Sequence, residues 1–161
     1  MLNKRLCDES SAACGRTSEG YEKAKNLWEQ RLPIMPVNEV LELARNCHKI
    51  APFLNYNGNT FVATVGYLIN RQIKMPAVKL AVLRSLSGHF IAGTITVAEK
   101  GMLSLLLNHE KEALKIGDLV QTLKGSVKGV VTELLPDGNV MYKTTLGITL
   151  KSSVDALIKQ I

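Results

Sequence analysis

Apolar positions recur at helical spacing over the first two thirds of the chain and in short runs between turn residues over the last third. From Ser18, a residue suited to an N-cap, Tyr21, Ala24, Leu27 and Trp28 return on one helical face, and Pro33 and Pro36 end any such helix. Val37, Val40, Leu41, Ala44, Cys47 and His48 share one face of a helix predicted over 37–50, which Pro52 closes. Asn55-Tyr56-Asn57-Gly58-Asn59 reads as a turn, because asparagine bonds its own backbone and tolerates positive φ. Asn59 or Thr60 then caps a helix with Phe61, Val62, Val65, Leu68 and Ile69 on its apolar face, ending near Arg71-Gln72. Pro76 opens the next, through Val78, Val82, Leu83 and Leu86, with Gly88 as its stop. Thr96-Val97-Ala98-Glu99 has the form of a capping box ahead of Met102, Leu103, Leu106 and Leu107. The pattern predicts a bundle of about five helices. Residues 1–17 show no periodicity and read as a flexible arm.

After Leu114 the runs shorten to 119–123, 127–135, 140–144 and 147–150, separated by glycine or by Pro136-Asp137-Gly138. They read as antiparallel strands. In the hairpin, proline presets φ for a type I turn and glycine takes the left-handed position of a bulge. Ile116-Gly117-Asp118 enters the first strand, and glycines bracket a tight loop in the motif Gly125-x-x-x-Gly129-x-Val131. On these residues, 116–158 resembles an SH3-like small barrel of the KOW type. The resemblance covers under a third of the chain and implies that fold for the segment and, through the family, RNA binding. Lys128 is the one basic residue between the two glycines, and Lys124 precedes them.

The fold class expected is therefore α+β, with an arm at 1–17, a helical domain at 18–115 and an SH3-like antiparallel small β-barrel at 116–161. No Ser/Gly/Pro linker separates helices from strands. A strand segment of about 45 residues buries little apolar area alone, so the barrel is expected to pack on the helices.

Composition narrows the classes. With 161 residues, 46% apolar and 21% charged, the chain is neither disordered nor fibrous. No run approaches the roughly 20 apolar residues of a membrane span, and Asp8 and Glu9 sit where the apolar core of a signal peptide belongs. Cys7, Cys14 and Cys47 form no C-x-x-C pair, so a reducing cytoplasm is the expected compartment.

Charge is the most informative feature. The net charge is +6, and between Leu43 and Ala98 there is no Asp or Glu while Arg45, Lys49, Arg71, Lys74, Lys79 and Arg84 lie inside. Clustered cations attract phosphates or carboxylates more strongly than isolated pairs do. Lys124 and Lys128 on the barrel loop, with Lys143 and Lys151 on adjacent strands, extend that basic set. The expected partner is nucleic acid or a nucleoprotein. The alternative is an acidic protein, engaged through the barrel loops and the apolar contact of the Tyr21/Trp28 helix.

Chemistry beyond binding finds little footing. Ser87-Gly88-His89 lacks the G-x-S-x-G elbow and a nearby acid. Cys7, Cys14, Cys47, His48, His89 and His109 lack the paired spacing of structural zinc, and neither a P-loop nor a dinucleotide fingerprint occurs. The sequence points to no catalytic residue, metal or cofactor, hence to a binding factor rather than an enzyme.

Overall fold

The structure, a computed structural model, describes residues 2–30, 35–108 and 113–160. Among them are six α-helices, α1 Leu2–Glu9, α2 Ser18–Glu29, α3 Val37–Ile50, α4 Asn57–Gln72, α5 Ala77–Ala92 and α6 Val97–Leu107. Five strands follow, β1 Leu119–Thr122, β2 Lys128–Leu134, β3 Asn139–Thr144, β4 Thr149–Ser153 and β5 Leu157–Lys159, with a 3-10 turn at Val154–Ala156 before β5. The class is α+β, as the pattern predicts. The chain divides into two compact units, Met1–Lys74 with Arg84–Ile95, and Met75–Leu83 with Thr96–Ile161.

In the first unit, α3 buries Val37, Val40, Leu41, Ala44 and Cys47, the face its spacing predicts, and α4 contributes Phe61, Val65 and Ile69. Residues 1–17 are not an arm without structure. They hold α1, whose Asn3 and Cys7 are buried. Asn3 Nδ2 donates to the Asn55 carbonyl at 2.9 Å and to Thr60 Oγ1 at 3.0 Å. Arg16 then forms an antiparallel bridge with Phe53, and Asn55 Nδ2 donates to the Ala13 carbonyl at 2.9 Å. The order of this segment comes from polar partners some forty to sixty positions away, which local periodicity does not register.

The asparagine-rich turn is a turn, with Tyr56 at φ 59°, and α4 starts at Asn57 rather than at Asn59 or Thr60. Asn57 fixes that start: its Oδ1 accepts from the Phe53 N–H at 2.9 Å and its Nδ2 donates to the Phe53 carbonyl at 2.6 Å. Helix α5 runs past Gly88 to Ala92, and Gly93 at φ +80° is the glycine that stops it. Pro33, expected to help end α2, lies outside the described residues; α2 runs to Glu29.

The second unit holds a five-stranded antiparallel sheet in the order β4-β3-β2-β1-β5, with α6 and the first turns of α5 belonging to it. The expected boundary near 115/116 is thus displaced. Val120, Val131, Val140, Tyr142 and Leu157 point to one face and form the core with Leu114. On the opposite face Gln121 and its partner Ile158 are buried as well, and Gln121 Nε2 lies 3.8 Å from Met102 Sδ of α6. Helix α6 therefore covers the β1–β5 side of the sheet. Its N-terminus carries the capping box read from the sequence: Thr96 Oγ1 accepts from the Glu99 N–H and Glu99 Oε2 from the Thr96 N–H. Strand β2 holds one extra residue, Thr132, between the pairs Val131–Tyr142 and Glu133–Met141.

The two glycines of the loop motif are needed for different reasons. Gly125 sits at φ +71° with open space around it, whereas a Cβ on Gly129 would meet the Lys143 carbonyl oxygen at 2.5 Å. Gly138 has φ +76°, as the hairpin reading requires, and the Asn139 N–H donates to Asp137 Oδ1 at 3.1 Å.

Candidate functional site

In the first unit, Arg45 and Lys49 lie one turn apart on α3, Arg71 lies in the last turn of α4, Lys74 follows that helix, and Arg84 stands on α5. Lys49, Arg71, Lys74 and Arg84 are exposed and Arg45 is half-buried. Lys49 and Arg71 occupy last turns of helices, where the carbonyl ends of the macrodipole favour cations. The guanidinium of Arg45 does not stand clear of the apolar stripe, because it lies 4.9 Å from the centre of the Phe90 ring. That of Arg71 lies 5.6 Å from the Tyr67 ring and donates to Tyr67 Oη at 3.1 Å. Tyr67 is 59% exposed, so this pair presents a ring and a planar cation together at the surface.

The first unit has acids of its own, Glu42 standing one turn before Arg45 on α3, but its ion pairs among the described residues lie on other residues. Arg5 pairs with Glu9, Lys23 with Glu19, and Lys25 with Glu22 and Glu29. Among the described residues, none of Arg45, Lys49, Arg71, Lys74 and Arg84 makes an ion pair.

Lys79 does not join them. It belongs to the second unit, is only 4% exposed, and its charge is set by two opposed effects. Burial pushes its pKa below the ordinary lysine value, and attraction to Asp155 offsets part of that. The folded protein consequently releases this proton more readily than the unfolded chain. Stability contributed at Lys79 is therefore expected to rise as pH climbs through the folded pKa towards the ordinary value near 10.5. Urea melts from pH 7 upward should show this rise in the wild type relative to Lys79→Met; parallel pH profiles would contradict it.

Lys124, in the loop between β1 and β2, and Lys128, at the start of β2, are exposed, as is Lys143 on β3. Lys151 is committed to Asp137 at 2.9 Å, a contact that pulls the Asp137 pKa to about 2. Lys159 pairs with Asp118 at 3.0 Å, and Asp118 is held below the usual carboxylate range first by the Lys115 N–H and then by Lys159.

A second feature of the helical unit was only half legible. Tyr21 and Trp28 face a groove of about 260 Å³ that Phe53 and Phe61 also line. The rings meet in sequence, Tyr21 edge-on to Phe53 at 6.0 Å, Phe53 tilted against Phe61 at 6.5 Å and Phe61 tilted against Trp28 at 6.3 Å, and Arg16 lies 4.0 Å over Tyr21. Phe53 and Phe61 carry no local sign of this role; the bridge to Arg16 and the start of α4 bring them there.

No group of three or more His, Cys, Asp and Glu side chains among the described residues is placed to hold a metal; His109 lies outside them. Burial pushes the Cys47 thiol up to about 11, the behaviour of a core thiol rather than a nucleophile. Among the described residues no helix is long and apolar enough to cross a membrane. No protein-family model, curated protein or solved structure matches the chain.

Proposed function

We propose that the protein is a non-catalytic binding factor that engages nucleic acid, alone or within a nucleoprotein, through Arg45, Lys49, Arg71, Lys74 and Arg84. The observation that carries this reading is that these five cations lie in a segment without a carboxylate and make no ion pair among the described residues. Unpaired cations keep their attraction for phosphate, and binding releases the counterions that phosphates hold. Tyr67 and Arg71 add one surface on which a base can stack. The remaining contacts are to backbone phosphates, which position a strand without reading its sequence.

The reading places the protein in the cytoplasm, where Cys7, Cys14 and Cys47 stay reduced. Its test is the ultraviolet absorbance ratio of protein purified at low salt, before and after a high-salt wash. Excess absorbance at nucleic-acid wavelengths that the wash removes supports the proposal. A protein-like ratio at low salt, with no binding to added duplex or single strand, contradicts it.

A further inference from the structure

The sheet of the second unit leaves part of one face open. Helix α6 covers that face over β1 and β5, but over β1, β2 and β3 Leu119 stands opposite Val130 and Val130 opposite Lys143. Leu119 is 56% exposed and Val130 39%. Lys128 lies two residues from Val130 on β2, on the same face, and is the diagonal neighbour of Lys143. Among the described residues, Lys124, Lys128 and Lys143 make no ion pair, whereas Lys151 and Lys159 are neutralised by Asp137 and Asp118.

We propose that this face docks an acidic, aliphatic segment of a partner protein. Two arguments select that occupant. The first is charge: two lysines border Val130, Lys143 opposite it on β3 and Lys128 two residues before it on β2, against the single carboxylate of Glu133 opposite Met141. Diagonal cross-strand neighbours stand about 7–8 Å apart. Carboxylates at alternate positions of an extended segment recur at about 6.6 Å, a close match. The second is the chemistry between the lysines. Aliphatic side chains gain from burying aliphatic partners but offer bases no ring to stack on. Tyr142, the one aromatic residue after Phe90, is 3% exposed and points into the core. A nucleic acid would find two phosphate contacts on this face and an apolar strip that it cannot use.

The test uses the full chain, labelled with nitrogen-15, and a synthetic peptide in which two glutamates at alternate positions precede leucine and valine at the next alternate positions, with serines between. Shifts are expected at the amides of Leu119, Lys128, Val130 and Lys143. Lys128→Glu with Lys143→Glu should raise the dissociation constant by about tenfold or more, since both contacts become repulsive. The peptide with glutamines in place of glutamates should bind as weakly. Replacing Lys49, Arg71 and Lys74 by alanine should leave peptide binding unchanged, which separates this face from the helical one. No shift up to millimolar peptide, shifts elsewhere, equal binding of the glutamine peptide, or shifts at these amides from a thymidine oligonucleotide in place of the peptide would each overturn the proposal.

Discussion

Gly129→Ala is expected to destabilise the C-terminal unit by about 3 kcal/mol, the upper part of the range for overpacking a filled site. A Cβ there would stand 2.5 Å from the Lys143 carbonyl oxygen, 2.8 Å from the Tyr142 ring and 2.9 Å from the Lys143 carbonyl carbon. Two of these atoms are backbone of β3, held in register by the pairing of Gly129 with Thr144, so the clash is relieved only by moving the strand. Gly125→Ala meets no atom within 4 Å and suffers only from φ +71°. Its expected cost is about 1 kcal/mol. Urea melts of the full-length variants, followed by circular dichroism, should rank them wild type, Gly125→Ala, Gly129→Ala in falling stability. Equal and small losses would contradict the close approach of β2 to β3.

Gly125 shows which part of the fold is written locally, and Gly129, needed because of β3, which part is not. The positive φ of Gly125, the capping box at Thr96 and the apolar face of α3 are each decided by a few neighbouring residues, so sequence arithmetic reaches them. What it misses depends on distant partners. Helix α1 is held by Asn3 reaching Asn55 and Thr60. Strand β5 has three residues, too few for a period, and exists because β1 has an edge to pair. Lys79 reads as surface by type, yet it stands between Val78 and Leu80, four residues before the fully buried Leu83, and its long stem is covered. Of the candidate site, the lack of carboxylates between Leu43 and Ala98 was legible in full. Which cations stay exposed and unpaired was not, because Lys79 is buried by its packing and Lys151 is claimed by Asp137, 14 positions away.

Replacing Arg45, Lys49, Arg71 and Lys74 together by alanine is expected to weaken nucleic-acid association with unrelated sequences alike. None of the four pairs with an acid among the described residues, so no carboxylate is left stranded by their removal. Arg45 also packs over Phe90. A triple variant that keeps Arg45 therefore accompanies the quadruple one, with circular dichroism showing that both fold. Sequence-specific loss, with affinity for one oligonucleotide kept, would point to base readout, which this surface does not offer.

The most direct measurement is the salt dependence of affinity, by fluorescence anisotropy on labelled duplex DNA and single-stranded RNA, for the wild type and the quadruple variant. The wild type should bind at low salt with a steep negative log–log slope. Each lost phosphate contact should flatten that slope by about 0.9 on duplex or about 0.7 on a single strand, so the four together by up to about 3.6 or about 2.8. An unchanged slope in a folded variant, or no binding by the wild type even at the lowest salt, would contradict the account.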